Sequence, residues 1–457
     1  MSLMKFFICR SVSVLSEKLH NLIPILMKQT VLLFFTLLLS STAFAQTSEL
    51  KRIIDERADE IEQEVIEWRR HFHENPELSN REFETADYIA EYLTDLGLEV
   101  ETGVAKTGVV AILEGGSPGP VVGLRADMDA LPVTERTDVP FASTATSMYQ
   151  GKEVGVMHAC GHDTHMAILM GVAKILTEMK EDLSGTVKFI FQPAEEGAPQ
   201  GEEGGAELMV KEGVLQNPDV DVVFGLHIND ATPVGTIRYR PEGIMASVNS
   251  FSLDIQGKQA HGSAPWNGVD PIVTAAQIIN NAQTIVSRNM ELTKQAAVVT
   301  FGVIEGGVRH NIIPESIHLE GTIRALDEEM RQLIFERLET IVENTAESNG
   351  AKATLTIHKG YPITYNDPEL TALMAPTLKD VAGEENAVMM DAITGAEDFS
   401  FFQKEIPGLY FFVGGKAPNR EAAGHHTPDF YIDESGMKLG VRAMGNLVID
   451  YMSSAGM

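Results

Sequence analysis

The sequence predicts an α/β protein built on a central, largely interior sheet and interrupted by a smaller ferredoxin-like α+β unit. Two observations carry this. Short apolar runs at Val109–Leu113, Val121–Arg125, Thr186–Phe191, Asp221–His227 and Leu409–Gly414 alternate with stretches of helical period, as strands covered by helices do. Between about 245 and 360 the order becomes strand (Ser250–Gln256), helix (Pro271–Val286), strand (Ala297–Val303), strand (Ser316–Ile323), helix (Glu328–Glu347), strand (Thr354–His358). That β-α-β-β-α-β order is the split ferredoxin-like motif. The 457 residues therefore divide into a leader (1–45), a larger domain in two parts (46–244 and 361–457) and an inserted domain (245–360).

The leader is read from Met27-Lys28-Gln29-Thr30, the apolar run Val31–Leu39, and Ser40–Ala45 with its A-x-A ending before Gln46. This is the pattern of a secretory signal peptide, its apolar core too short to span a bilayer. Residues 1–26 fit poorly upstream of it, so translation is expected to start at Met27. The mature protein is expected to be exported, periplasmic or secreted, with no stable membrane span. Losing the leader removes Cys9 and leaves Cys160 alone, so no internal disulfide can form. The net charge of −30 repels phosphate and argues against a nucleic-acid partner.

In chain order, 49–71 reads as an amphipathic helix (Ile53, Ile54, Ile61, Val65, Trp68), ended by the His71–Glu77 run. His71 and His73, ahead of Pro76, read as structural. A second helix is expected over Glu82–Leu96. The strand Val121–Arg125 runs into Ala126-Asp127-Met128-Asp129-Ala130-Leu131-Pro132, at the strand edge where open α/β sheets place their sites. Asp129 there either orients a metal ligand from behind or belongs to an Asp-rich turn.

The densest chemistry lies in His158-Ala159-Cys160-Gly161-His162-Asp163-Thr164-His165. Cys160 and His162, two apart on a glycine-loosened turn, suit a zinc-like ion, and Asp163 is expected to cap the helix that follows. Next, Thr186–Phe191 leads into Gln192-Pro193-Ala194-Glu195-Glu196-Gly197. On an extended backbone these carboxylates point apart, one to bind metal and one to take a proton from water. His227 closes the next strand. In the insert, His261 lies in an exposed loop, and Asn311 and Arg324 are polar residues in β-rich segments. Arg324 could clamp a carboxylate or form a surface pair. The chain then returns to α/β through Thr394–Ser400, a strand at Leu409–Gly414, the Gly424-His425-His426-Thr427-Pro428 run and a closing helix from Ser435 to Tyr451.

Six motifs in order resemble one family: Arg69-Arg70-His71-Phe72-His73 with Pro76-Glu77, Arg125–Pro132, His158–Asp163, Pro193–Gly197, Gly225-Leu226-His227 and His426-Thr427-Pro428. The chain looks like the amidohydrolase branch of the di-metal aminoacylase/carboxypeptidase family, which includes hippurate hydrolases, auxin-conjugate hydrolases and N-acetyldiaminopimelate deacetylases. The resemblance implies a metallohydrolase catalytic domain and an inserted lid or dimerisation domain, hence a homodimer or homo-oligomer. It implies two divalent ions per subunit (zinc or manganese, with cobalt or nickel as further candidates) held by Cys160, His162, Glu196, His227 and His426. His426 is preferred to His425 because it directly precedes the Thr-Pro step. Asp127 stands where other branches carry a metal-binding histidine.

By the same resemblance Glu195 is the general base, and His261 stabilises the oxyanion of its own or the partner subunit's site. Asn311 and Arg324 would hold the substrate's polar end. The expected activity is hydrolysis of N-acyl amino acids. The alternatives are an exported di- or carboxypeptidase, a thiol hydrolase with Cys160 as nucleophile, and a non-catalytic binder of acyl-amino acids or peptides.

Overall fold

The computed structural model describes residues 46–455, and the leader expected over 1–45 lies outside them. Helical residues 46–60 run on into α1 (Glu62–Glu74), followed by α2 (Phe83–Asp95). The first helix therefore does not stop at His71: it continues almost one turn further, and His71 and His73 sit inside it. It ends where Pro76 forces Asn75 out of helical geometry (φ −124°, ψ 56°), because a residue before proline is disfavoured in the α region.

Three strands follow, β1 (Glu99–Val104), β2 (Gly108–Glu114) and β3 (Ser117–Asp127), then α3 (His162–Glu178), β4 (Ser184–Gln192), β5 (Val222–Pro233) and β6 (Ile237–Tyr239). The insert comprises β7 (Ser247–Gln256), α4 (Pro271–Thr284), β8 (Ala297–Gly306), β9 (Ser316–Ala325), α5 (Glu328–Ser348) and β10 (Lys352–Lys359). The chain closes through α6 (Pro368–Ala382), β11 (Ala387–Met389), β12 (Gly408–Lys416) and α7 (Met437–Ala455).

The central sheet has eight strands in the order β1-β2-β4-β3-β5-β12-β6-β11. Its middle, β4-β3-β5-β12, is parallel, which needs both faces covered. One face is covered by α3, packed between the sheet and helices α1 and α7. Nearly all of α3 is buried, so its apolar residues run all round it rather than along one stripe. On the other face Ile190, Val223, Tyr410 and Phe412 meet Phe399 and Phe402.

The insert forms an antiparallel sheet in the order β8-β9-β7-β10. Its helices α4 and α5 lie on one face, where Ile334, Phe335 and Leu338 pack against Phe251, Leu253 and Leu319. Each helix is opened by an aspartate that accepts backbone N–H groups, Asp270 for α4 and Asp327 for α5. The chain enters and leaves the insert side by side, Val248 N–H donating to the Tyr361 carbonyl at 3.0 Å.

Candidate metal centre

The parallel strands all end at one edge of the sheet, the place where such sheets bind ligands. Beyond β3 stands Asp129, and beyond β4 stand Glu195 and Glu196. His227 lies just past the last β5 pair with β3, Arg125 opposite Gly225. It is not at a strand exit as expected, because β12 holds β5 in register as far as Pro233. The loop after β12 delivers His425 and His426, and Cys160 and His162 sit at the start of α3. Gly161 between them has φ 101°, and a Cβ there would lie 2.3 Å from Ile228 Cγ2, so only glycine permits this approach.

Asp163 does not cap α3. Gly161 occupies the cap position without a side-chain bond, and Asp163 is buried against α1, paired with Arg69 Nε at 2.7 Å and His73 Nδ1 at 2.8 Å. His73 Nε2 in turn faces Glu135 at 3.1 Å. The structural reading of His73 thus has a partner on each ring nitrogen. His71 stacks on Tyr88, ring centroids 4.3 Å apart.

Five donors converge at the sheet edge. Cys160, His162 and His227 form one group and Cys160, Glu196 and His426 a second; within each group the donor atoms all lie within 4.8 Å of one another. Cys160 is common to both. His162, Glu195 and Glu196 meet the same criterion, so the two carboxylates do not diverge. Ala194, at φ 53°, breaks the extended backbone on which that expectation rested.

The two histidines of the first group are held from behind, and the backbone of the glutamates is held as well, which fixes their directions. His162 Nδ1 faces the Asp129 carbonyl at 2.8 Å, leaving Nε2 buried without a hydrogen-bond partner. His227 Nδ1 donates to the Ile228 carbonyl at 2.6 Å, leaving Nε2 3.4 Å from Cys160 Sγ. The Asp129 carboxylate accepts the backbone N–H groups of Glu195 and Glu196, both at 3.0 Å, and the Ser79 hydroxyl at 2.6 Å. Asp129 therefore fixes the base candidate and two ligand positions together.

The electrostatics show what the donors are suited to hold. Burial, with the Glu196 and Glu195 carboxylates beside it, pushes the Cys160 thiol well above its ordinary range. Burial and Glu397 raise Glu195 likewise. Burial disfavours a charged His162, but Asp127 and Asp129 override it and push the ring up to about 10. Thiolate and carboxylates packed this closely repel one another unless positive charge sits among them, and divalent ions held with the imidazoles supply it. The residues thus fit two divalent ions. The same environment counts against a thiol nucleophile, since reactive cysteines need a lowered pKa.

A cavity of about 320 Å³ opens on this centre; Glu195, Tyr361, Met245, Ile393 and Phe412 are among its lining residues. His261, Asn311 and Arg324 are not. His261 and Asn311 do meet each other: Gly262 N–H donates to the Asn311 carbonyl at 2.8 Å, and Ala260–His261 pairs with Ile312–Ile313. The His261 ring is exposed, its Nδ1 accepting from Ser263 Oγ at 2.8 Å. Arg324 is half-buried in β9, opposite Val248 and Val298, and makes no ion pair among the described residues.

Three further residues belong to the centre. His425 places Nδ1 3.1 Å from the Cys160 carbonyl and 3.7 Å from its sulfur. Tyr361 Oη donates to the Glu195 carbonyl at 2.8 Å. Arg125, fully buried, pairs with Asp127 at 2.7 Å, Glu397 at 2.8 Å and Asp398 at 2.9 Å. An arginine closing an apolar strand was the available signal for the last of these, and the His-His doublet for the first; nothing local marks Tyr361.

The profile of peptidase family M20/M25/M40 matches residues 123–450. The chain is 41% identical over 395 residues to thermostable carboxypeptidase 2 of Saccharolobus solfataricus, covering 86% of this chain and 96% of that one. It is 39% identical over 377 residues to N-acetyl-L-cysteine deacetylase of Bacillus subtilis, covering 82% and 85%. A solved structure, the Bacillus subtilis YXEP protein, described as a dinuclear metal binding peptidase from the M20 family, matches with a TM-score of 0.71. Its identity is 34%, over 86% of this chain and 99% of that one.

Proposed function

The chain belongs to peptidase family M20/M25/M40 and is a metal-dependent hydrolase, and we propose that it cleaves the amide bond of N-acyl amino acids, releasing a carboxylate and a free amino acid. The observation that carries this is a buried glutamate, Glu195, set beside two donor groups that share one thiolate. Cys160, His162 and His227 would hold one ion, and Cys160, Glu196 and His426 the other. Zinc or manganese suits this donor set, with cobalt or nickel as further candidates. When bound, the ions supply Lewis acidity, lowering the pKa of a water and polarising the scissile carbonyl.

The protein's own part is proton transfer and positioning. Glu195, whose burial favours its protonated form, takes the proton of the attacking water and passes it to the leaving amine. Tyr361 and Asp129 hold the Glu195 backbone, so the carboxylate stays aimed while its charge changes. His261, exposed in its own subunit, is the residue assigned to the oxyanion of a partner subunit's site in a homodimer. Asn311 and Arg324 are assigned to the carboxylate end of the substrate. In the same reading the insert is the lid and dimerisation domain, and residues 1–45 direct export. The likeness to a deacetylase supports an acyl-amino-acid substrate, and that to a carboxypeptidase keeps peptides as the second reading. Parallel assays on N-acyl amino acids and dipeptides separate them.

Glu195→Gln tests the mechanism. Glu195 is in neither Cys160 group, so metal analysis should find both ions retained while kcat falls by about 10²–10⁴-fold, the usual worth of a general base. Near-normal turnover would remove Glu195 from this role.

A further inference from the structure

A second cleft, of about 960 Å³, meets the metal centre at Glu196, the one lining residue it shares with the first cavity. Its floor is Leu78, Leu131 and Pro132, and one wall is the Ala198-Pro199 segment just past the catalytic carboxylates. The other wall is a hairpin in which Thr146–Tyr149 pairs with Lys152–Gly155. Gln150 (φ 49°) and Gly151 (φ 76°) make its turn, as two-residue hairpin loops require. The hairpin base is tied down, Val156 N–H donating to the Ala145 carbonyl and Met157 bridging Leu131. Its tip carries Met148, 66% exposed, and Tyr149, 40% exposed, on a two-stranded element that has no core of its own.

Charge decides which end of a substrate suits the cleft. Arg81, the one cation lining the cleft, is paired with Glu202 at 2.6 Å, and Glu196 adds a carboxylate to the lining. With its cation already paired and a carboxylate in its lining, the cleft disfavours a substrate's carboxylate and favours its uncharged end. We propose that this cleft, floored by Leu78 and Leu131 and walled by Met148 and Tyr149, is an acyl-chain subsite that selects apolar acyl groups longer than acetyl. The inference rests on the acyl-amino-acid reading above.

The test is an acyl series on one amino acid: N-acetyl-, N-butanoyl- and N-hexanoyl-L-alanine, with the metal-loaded enzyme. Burial of each added methylene should raise kcat/KM by about two- to fourfold. In Met148→Ser/Tyr149→Ser the hexanoyl-to-acetyl ratio should fall toward one, and Ala198→Trp, which fills the cleft, should bring about the same collapse. Calorimetric binding of the same compounds to Glu195→Gln should follow the same order. A flat series in the parent enzyme, or a steep one that both variants leave intact, overturns the subsite while leaving the hydrolase reading standing. If the variants instead change selectivity among N-acetyl amino acids, the cleft belongs to the amino-acid end and the proposal is wrong. If no N-acyl amino acid is turned over at all, the underlying reading fails and takes the subsite with it.

Discussion

Asp129→Asn removes one charge and changes almost no volume, yet four contacts depend on that carboxylate. One oxygen accepts the Glu195 N–H at 3.0 Å and lies 3.3 Å from His162 Nδ1; the other accepts the Glu196 N–H at 3.0 Å and the Ser79 hydroxyl at 2.6 Å. An amide has a single acceptor oxygen. Placed toward Glu195 and His162, it sets its NH₂ against the Glu196 N–H. Ser79 can turn its hydroxyl round to accept, but a backbone N–H cannot, so one buried donor is stranded at about 1–3 kcal/mol. The remaining bonds also lose their charge assistance, worth roughly half their strength. Because Glu196 and His162 are proposed ligands, this reaches metal affinity, where losing a supporting partner usually costs about 10–100-fold. Competition against a chelator measures that affinity, and kcat at saturating metal measures the aim of Glu195. A variant within twofold of the parent in affinity and threefold in kcat would refute the claim that Asp129 organises the centre.

Three other expectations follow from the same geometry. Burial and Arg69 oppose a charge on His73, but Asp163 and Glu135 overcome them and raise it above the ordinary 6.5; its protonated ring therefore stabilises the fold fully below about pH 6.5, and less as pH rises through the raised native value. His73→Gln should accordingly lower Tm more at about pH 6 than at about pH 9, and equal losses at both would contradict this. Arg125→Leu strands the carboxylates of Asp127, Glu397 and Asp398 in the interior, and urea unfolding should show a loss of about 3–5 kcal/mol. N-terminal sequencing of the mature protein should begin at Gln46; a start at Met1 or Ser2 would count against the leader.

The strands of the central sheet were legible because they are buried on both faces and so appear as unbroken apolar runs. The insert was legible because its alternation of strand and helix is complete within one segment. Cys160, His162, Glu195, Glu196 and His227 each sit on or beside such a strand or at a helix start, so local pattern marked them as candidates, while their grouping into one set with His426 came from the family resemblance. What escaped needs contacts between distant parts of the chain. Asp163 looks like a cap until Arg69, 94 positions earlier, is brought against it by the packing of α1 on α3. The left-handed turn at Ala194 has no marker in its side chain, yet it decides where two carboxylates point. Tyr361 is an ordinary aromatic residue until the return from the insert places its hydroxyl on the Glu195 carbonyl.

The last long strand to be synthesised, β12, lies in the interior of the sheet, between β5 and β6, rather than at an edge. A nascent chain consequently cannot close its core progressively from one end: the slot for β12 stays open across the making of the whole insert, with apolar side chains of β5 uncovered meanwhile. Cys160, His162 and His227 could assemble around an ion during that interval, whereas the group that needs His426 must wait. The candidate donor group that needs His426 is thereby the last to be completed in chain order.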